Sequence, residues 1–255
     1  MIRVVVGGAT GRLGRIVCGM ICASDDMELV GAVVSPYGDN VGRELHPGVF
    51  GIVPADISEV LAGADVYVDL TSPQAAAEII ADILGSGVNI VLGTTAVPAD
   101  VISDMEGCIR RNGTSAVISA NFAVGVNVFW SVAERMSEML RGFQIDITET
   151  HRAGKVDSPS GTAMETLRLI RNATGIDGAV YGDGTDGDGI CVQSVRIGDV
   201  VGDHTVMFTG RTERLELTHN AISREAFADG CLACIRWIHG KKDGRIHGMR
   251  EVLGI

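Results

Sequence analysis

The residue types best suited to chemistry lie in one short segment, residues 149–163. His151 and Lys155 stand four apart with Arg152 between them, in a loop that the pattern places after a strand. A histidine delivers a proton near neutral pH, and an arginine binds a carboxylate through two parallel hydrogen bonds. The loop leads into a helix that opens with Gly161 and Thr162, whose backbone N–H groups suit a carboxylate. The segment predicts a site for an anion undergoing proton chemistry. A capped helix after a solvated basic loop is the structural alternative.

A second chemical feature is the glycine-rich turn Gly8-x-x-Gly11-x-x-Gly14. It follows a predicted strand at Ile2–Val6 and opens a predicted helix at Arg12. Glycines permit a tight turn and close approach of the backbone to a pyrophosphate, which then lies on the N–H groups of the helix start. The order strand, turn, helix predicts a dinucleotide site rather than a merely structural turn.

The predicted helices and strands around these residues change in pattern near residue 121. Before it, short buried strands alternate with helices, which is typical of a Rossmann-like, doubly wound parallel sheet in an α/β protein. After it, helices and strands, with the three strands between 190 and 219 read as antiparallel, predict a second α+β domain with an open mixed sheet. The predicted domains are a dinucleotide-binding domain at 1–121, completed by 223–255, and a substrate-binding and oligomerisation domain at 122–222.

Composition and charge exclude several function classes. Of the 255 residues, 46% are hydrophobic and 21% charged, which is typical of globular proteins. The net charge of −11 argues against a nucleic-acid partner, which needs clustered basic residues. The chain opens without a basic leader and has no apolar run near ~18 residues, so we expect no signal peptide, no membrane span and a cytoplasmic location.

Two further segments have bland interpretations. Cys231 and Cys234 have the spacing of a redox pair or half a metal site, but they lie in an apolar, helix-like run without a second such pair. We interpret them as reduced core residues and predict no metal site. The stretch 182–189, rich in glycine and aspartate, is interpreted as a surface loop rather than a calcium loop.

The end of the second predicted strand bears on the choice of cofactor. NAD-binding proteins place a carboxylate there for the ribose hydroxyls, but this chain has Ser35 and Pro36. Glu28 is at a suitable distance in sequence, but we place it before the strand, facing solvent. Without a carboxylate to repel a 2′-phosphate, Ser35 or Arg12 would be able to contact one. The sequence therefore favours NADPH, or use of both NADPH and NADH.

Residues 149–163 resemble the signature E-x-H-H-x-x-K-x-D-x-P-S-G-T-A of the 4-hydroxy-tetrahydrodipicolinate reductase family, also called dihydrodipicolinate reductases. Further similar segments follow in family order over nearly the whole chain, and they are Gly8 to Gly14, Asp69 to Pro73, Gly93 to Thr95, Asn121 to Asn127, Gly198 to Thr205, Glu213 to His219, Ser223-Arg224 and Met249 to Leu253.

The resemblance implies the family's reaction, which is NAD(P)H-dependent reduction of a small cyclic dicarboxylate in lysine and diaminopimelate biosynthesis, and it implies a homotetramer. His151 matches the general acid and Lys155 the second catalytic residue, while Gly161 and Thr162 match the pair that binds a substrate carboxylate. The implied cofactor contacts are Gly8, Ala9, Thr10, Gly11, Arg12, Leu13, Gly93, Thr94, Thr95, Ser119, Ala120, Asn121 and Phe122, to which Ser35 is added from the strand-end pattern.

Three departures from the family pattern matter. Arg152 replaces a second histidine that contacts substrate, and we expect it to bind a carboxylate in its place. Gln193 stands where a histidine is usual, and Ser35-Pro36 replaces the family's acidic–basic pair after the second strand.

Two other classes of protein stay open. One is a related two-domain dehydrogenase of amino-acid metabolism, and the other is a non-catalytic nucleotide sensor. The intact His151 and Lys155 argue against the second.

Overall fold

The structure is a computed structural model that describes residues 1–182 and 189–255. The strands are β1 (Ile2–Gly7), β2 (Met27–Val33), β3 (Glu44–His46), β4 (Val49–Ile52), β5 (Val66–Asp69), β6 (Asn89–Leu92), β7 (Ala116–Ile118), β8 (Gln144–His151), β9 (Ala179–Tyr181), β10 (Ile190–Arg196), β11 (Gly202–Thr209), β12 (Arg214–Ala221) and β13 (Ile246–His247). The helices are α1 (Arg12–Cys22), α2 (Ile57–Leu61), α3 (Pro73–Ser86), α4 (Ala99–Asn112), α5 (Val124–Met139), α6 (Gly161–Thr174), α7 (Glu225–Ile238) and α8 (Met249–Leu253).

The chain divides into two units. The first comprises Met1–Ala123 with Phe227–Gly254, and the second comprises Val124–Ala226 with Ile255. The first stretch ends two residues after the predicted limit at 121, and the second ends four residues after the limit at 222. The interpreted loop at 182–189 falls mostly outside the described residues.

The sheet of the first unit has the strand order β13-β7-β6-β5-β1-β2-β4-β3. All its pairs are parallel except β3 with β4 at one edge. Alternate side chains of β1 enter two cores, since Val4 and Val6 pack with α1 and α7 whereas Val5 packs with α3 and α4. A parallel sheet buried on both faces is the doubly wound arrangement, and the predicted fold class is confirmed.

The second unit is built on a five-stranded mixed sheet of order β12-β11-β8-β10-β9. The prediction that the strands between 190 and 219 are antiparallel is wrong for β10, which pairs in parallel with β8 and β9. The reason is the long connection through α6, which returns the chain to the same end of the sheet. β11 is antiparallel to both β8 and β12, as predicted.

Some short elements and single residues also bear on the sequence predictions. No clear strand or helix pattern in the sequence predicts five short elements, which are β3, β4, β9, β13 and α8. Glu28 lies exposed within β2, not before it. Cys231 and Cys234 are fully buried on α7, and burial raises the pKa of both thiols, that of Cys234 to about 12. In the described part of the chain, no helix is long and apolar enough to cross a membrane.

Candidate active site

The glycine turn after β1 approaches its neighbours so closely that side chains are excluded. Gly8 has a φ of +75°, and a Cβ there would overlap the carbonyl oxygen of Leu70. A Cβ at Gly14 would overlap the Gly8 carbonyl in the same way. The N–H groups of Gly8 and Ala9 donate to the Val33 carbonyl at 3.0 and 3.2 Å, which ties the turn to the end of β2. The turn is therefore fixed by packing on both sides.

The start of α1 suits a pyrophosphate. Its N-cap, Gly11, offers no side-chain cap, and the first turn contains no acidic residue. The first N–H groups of a helix lack partners within the helix, and the helix dipole adds partial positive charge there. This cradle of backbone groups fits the pyrophosphate of a nicotinamide dinucleotide.

The other predicted cofactor residues follow the carboxyl ends of neighbouring parallel strands. Ser35 comes after β2, residues 93–95 after β6, and residues 119–122 after β7. Because β1 lies between β2 and β5, the sheet reverses its strand order beside the glycine turn, and ligands bind at such a point. Gly93 packs on the ring of Phe122, which a Cβ at Gly93 would overlap. Ser119 donates its hydroxyl to the Asn121 carbonyl at 2.7 Å.

A cavity of about 410 Å³ opens beside the glycine turn. Among the predicted cofactor residues, Gly8, Thr10, Gly11 and Ser35 line it. Ala9 is buried under the turn, Arg12 and Leu13 begin α1 outside the lining, and residues 93–95 and 119–122 do not line it. The remaining lining residues are Val33, Val34, Pro36, Tyr37, Pro54, Leu70, Thr71, Ser72, Gln74, Ala75, Glu78 and Ile79.

A buried carboxylate that the sequence reasoning missed joins two of these strand ends. Asp69, the last residue of β5, accepts hydrogen bonds from the hydroxyls of Thr71 and Thr94 at 2.7 and 2.5 Å. The Tyr67 hydroxyl also donates to Asp69, at 3.0 Å. Burial, and then the charge of Asp69, raises the pKa of Tyr67 well above its usual range. Asp69 thereby fixes the loops after β5 and β6 relative to each other.

In the second unit, His151 ends the central strand β8 and is buried. Its Nδ1 atom lies 2.6 Å from Oε2 of Glu149, two residues earlier on the same strand. Successive side chains of a strand point to opposite faces, so residues two apart share a face. A Cβ at Gly202 would lie 2.9 Å from the Nε2 atom of the same ring, so glycine there leaves room for the imidazole.

Glu149 is 1% exposed and is bound on its other oxygen. Arg196 of β10 donates to Oε1 at 2.7 Å, and the N–H of Ser160 donates to it at 3.1 Å. Burial raises the pKa of Glu149, but the contacts from His151, Arg196 and its other neighbours outweigh burial and hold the pKa well below its usual range. Glu149 is therefore an ionised carboxylate at neutral pH.

His204 of β11 packs against His151 and Ser160. Its ring lies 5.2 Å from the ring of His151, centroid to centroid, and Nε2 is 3.3 Å from the hydroxyl of Ser160. Burial, followed by the charge of His151, lowers the pKa of His204 to about 3. His204 is thus a neutral imidazole, and Ser160, which accepts from the Ala163 N–H, has its own proton to donate to His204.

The basic loop between β8 and α6 turns back on itself. Lys155 contacts both carboxylate oxygens of Asp157, at 2.8 and 2.7 Å. Arg152 donates its N–H to the Val200 carbonyl at 2.8 Å, and its guanidinium folds beside Gly154. Lys155 therefore already has a counter-charge, while Arg152 is held mainly by its backbone.

Gly161 and Thr162 form the first turn of α6, with Ser160 as the N-cap. The hydroxyl of Ser160 accepts from the Ala163 N–H at 3.2 Å. A Cβ added at Gly161 would meet no atom within 4 Å, so the space beside this helix start is open. The positive end of the helix dipole and this open space suit a carboxylate.

Glu149, His151 and His204 also offer three ligand atoms within 4.8 Å of one another, a geometry that a metal ion is able to use. However, the guanidinium of Arg196 already neutralises the same carboxylate at 2.7 Å. A second cation there would be repelled by Arg196. Glu149, His151 and His204 are therefore better suited to holding a proton than a metal ion.

His151 was predicted from the sequence, whereas no role was predicted for Glu149, Arg196 or His204. The period of two along β8 was a usable signal for Glu149. Arg196 and His204 become neighbours only through the pairing of β8 with β10 and β11, where Arg196 lies opposite His151 and His204 opposite Glu149. No local pattern of residues gives that pairing.

A parallel sheet with a glycine turn that fits a dinucleotide, together with a unit that carries a histidine–carboxylate pair and a lysine, defines a class of protein. It is the class of two-domain, nicotinamide-dependent oxidoreductases. Family models narrow the class further. The model of the dihydrodipicolinate reductase N-terminus matches residues 2–122, and that of the C-terminus matches residues 125–253. The chain belongs to the dihydrodipicolinate reductase family, which confirms the resemblance.

Individual relatives agree with the family models. A 4-hydroxy-tetrahydrodipicolinate reductase of Methanothermobacter thermautotrophicus is 42% identical, and the match covers all of both chains. One from Methanopyrus kandleri is 40% identical over 99% of this chain and 97% of its own. The solved dipicolinate-bound dihydrodipicolinate reductase from Paenisporosarcina sp. TG-14 superposes with a TM-score of 0.83 over 98% of this chain and 99% of its own. At 23% identity, that structure shows the shared fold.

Proposed function

We propose that this chain reduces 4-hydroxy-tetrahydrodipicolinate to tetrahydrodipicolinate with NADPH or NADH, a step of lysine and diaminopimelate biosynthesis. The observation that carries the proposal is the contact between His151 and the ionised Glu149, beside the open start of α6. It lies within the segment that carries the family signature. Relatives at 40–42% identity over essentially the whole chain bear the name of this reductase.

The chain's own residues take the following roles in the proposal. Arg152 and the first turn of α6, at Gly161 and Thr162, bind a carboxylate of the substrate. His151 gives a proton to the substrate ring, and Lys155 stabilises the negative charge that develops on the ring. A reduced nicotinamide bound at the carboxyl edge of the first sheet supplies the hydride. The residues at that edge hold the cofactor and do no covalent chemistry.

We infer that NADPH and NADH are both used. At the end of β2, the cavity is lined by Val34, Ser35 and Pro36, with no carboxylate to repel a 2′-phosphate. Lys and Arg are absent from the cavity lining within the described residues, and Glu78 of α3 is part of it. Ser35 accepts the Tyr37 N–H at 3.3 Å and keeps its own proton to donate to a ribose oxygen or a phosphate.

The assembly and location belong to the same proposal. β12 is an edge strand of the second sheet and most of its side chains are exposed, so its backbone is available for pairing with another chain. We propose a cytoplasmic homotetramer. Light scattering would give a mass of four times 26.8 kDa, and fractionation would place the protein with the cytoplasm. A monomeric mass would contradict the tetramer.

The activity test is a coupled assay in which the substrate is made in place from pyruvate and aspartate semialdehyde. We expect oxidation of NADPH and NADH only when both precursors and the preceding enzyme are present. A folded protein that binds the cofactor but oxidises neither one would instead be the nucleotide sensor.

His151→Ala and Lys155→Ala test the assigned roles in that assay. Their charges act mainly in the transition state, so we expect kcat to fall by roughly 10²–10⁴-fold for the acid. Lys242→Ala, which removes an exposed lysine of the first unit outside the cavity lining, is the control. Near-normal kcat in either variant would remove that residue from the chemistry.

A further inference from the structure

We propose that Glu149 is the positioning residue of the acid His151, an inference that rests on the proposed function. The two residues share a face of β8, and Nδ1 of His151 lies 2.6 Å from Oε2 of Glu149. Both atoms are buried and neither has a hydrogen-bond partner by distance and angle among the residues described, so the ion-pair contact between them is what holds the ring. The carboxylate therefore holds one nitrogen of the ring and leaves Nε2 as the nitrogen that gives the proton.

The carboxylate is itself held rigidly. Its Oε1 atom accepts from Arg196 at 2.7 Å and from the Ser160 N–H at 3.1 Å, which anchors it to β10 and to the start of α6. Oε2 remains directed at His151. A buried, anchored carboxylate fixes both the ring orientation and the tautomer of a neighbouring histidine, as in hydrolase triads.

Other groups near the ring do not replace Glu149. The titratable and charged groups that face it are Glu149 on β8, Arg196 on β10, His204 on β11, and Lys155 and Asp157 in the loop. The carboxylate of Asp157 is occupied by Lys155, and His204 is neutral because burial lowers its pKa to about 3. Glu149 is thus the negative group in contact with the ring.

The proton balance of the step follows from this geometry. The Nε2–H bond of the imidazolium breaks, and the proton bonds to the substrate atom on which negative charge develops. The electron pair for reduction arrives with the hydride, and the Nδ1–H stays directed at Glu149. The neutral ring then regains a proton at Nε2 from water, which restores the acid.

The first test is Glu149→Gln, which keeps the size of the side chain and removes its charge. We expect kcat to fall at least about 100-fold, which is the low end for loss of a general acid, with KM little changed. Glu138→Gln, which removes an exposed carboxylate paired with Arg135 on α5, is the matched control. A kcat near that of the control would overturn the proposal.

A second variant separates positioning from stability. Glu149→Gln leaves Arg196 without its counter-charge, whereas Glu149→Gln combined with Arg196→Gln removes both charges. We expect the double variant to regain thermal stability while kcat stays low. If kcat returned with stability, the role of Glu149 would be structural and the proposal wrong.

Nitrogen-15 NMR of the histidine rings gives a readout that needs no turnover. We expect neutral His151 to carry its proton on Nδ1 in the wild type, and to become a mixture of tautomers in Glu149→Gln. The same tautomer mixture in both proteins would contradict the proposal. If the wild type turned over no substrate, the proposed function would fail, while this spectrum would still decide the role of Glu149.

Discussion

Gly8 and Gly11 lie three residues apart in one turn and are glycine for different reasons. Gly8 has a φ of +75° and contacts the backbone at Leu70, so its own structure requires glycine. Gly11 has a φ of −67°, which any residue adopts, and a Cβ there would meet only the Gly8 carbonyl, at 3.1 Å. The fold therefore does not strictly require glycine at position 11. The lack of a side chain there leaves the space in front of α1 open.

Gly11→Asp separates binding from folding. A carboxylate at the helix start would repel and obstruct the pyrophosphate, so we expect the affinity for both cofactors to fall at least ~10-fold, or about 1.4 kcal/mol. The free energy of unfolding should change by less than about 1 kcal/mol. Calorimetry and denaturant unfolding measure the two quantities. Gly19→Asp, at an exposed position with open space near the other end of α1, is the control. Equal affinities in wild type and Gly11→Asp would remove the turn from the site.

Arg152 stands where the family signature has a second histidine, and substitutions at Arg152 test whether it binds the substrate. Its backbone is held by Val200 and its guanidinium lies beside Gly154, within the loop that carries His151 and Lys155. If it binds a substrate carboxylate, Arg152→Ala loses about 1.5–3 kcal/mol and raises KM about 10–100-fold with a smaller effect on kcat.

Arg152→His adds a pH test of the same role. An arginine keeps its charge at every working pH, whereas an ordinary histidine loses it above about 6.5. KM should therefore rise between pH 6 and 9 in the histidine variant and stay flatter in the wild type. Three superimposable KM curves for wild type, Ala and His would show that Arg152 does not contact substrate.

Strand ends carry the predicted cofactor residues in the first unit and the Glu149–His151 pair in the second. The carboxyl ends of β1, β2, β5, β6 and β7 lie along one edge of the first sheet, and the predicted cofactor residues follow four of them, β1, β2, β6 and β7. In the second unit, β8 presents Glu149 and His151 on one face, and its two neighbours add Arg196 and His204. Parallel pairing of β10 with β8 is what brings Arg196 opposite His151.

Ser35→Asp tests the end of β2. A carboxylate at this position is the usual ligand of ribose hydroxyls and repels a 2′-phosphate. Repulsion of about 1–4 kcal/mol between two charges at close range predicts at least a ~10-fold rise in the KM for NADPH. The KM for NADH should hold or improve. Ser35→Asn, of the same size without the charge, is the control. An equal effect on both cofactors would place Ser35 away from the 2′ position.

At the scale of the whole molecule, the buried His204 couples stability to pH. Burial lowers its pKa in the folded chain from 6.5 to about 3, so the folded state keeps the ring neutral. A group with a depressed folded pKa adds stability above its unfolded pKa and loses that contribution as pH falls towards the folded pKa. His204 should therefore destabilise the protein increasingly between about pH 6.5 and 3.

Unfolding experiments at pH 7, 6 and 5 measure this dependence, in a range above the titration of ordinary carboxylates. We expect His204 to account for a loss of up to about 1.4 kcal/mol per pH unit in the free energy of unfolding. His204→Gln should show a shallower dependence, while His239→Gln, an exposed histidine on the surface, should keep that of the wild type. Parallel curves for all three proteins would contradict the buried neutral His204.

Local sequence patterns were enough to predict the alternating strands and helices of the first unit, the glycine turn, the second mixed sheet and the segment with His151 and Lys155. These follow from local rules, since periodicity, turn residues and helix caps act over a few neighbouring residues. Ser72 illustrates this, because a serine directly before Pro73 is a local helix-start signal, and its side chain accepts a hydrogen bond from the Ala75 N–H at the start of α3.

The residues that surround His151 could not be predicted from the sequence. Glu149, Arg196, Ser160 and His204 come from three strands and a helix start, and strand pairing joins them. The same holds for Asp69, which joins Thr71 to Thr94 across two loops. Direction and register of pairing depend on the burial of whole faces and on the length of crossover connections, which is why β10 was assigned the wrong direction from sequence. Short-range patterns do not carry that information.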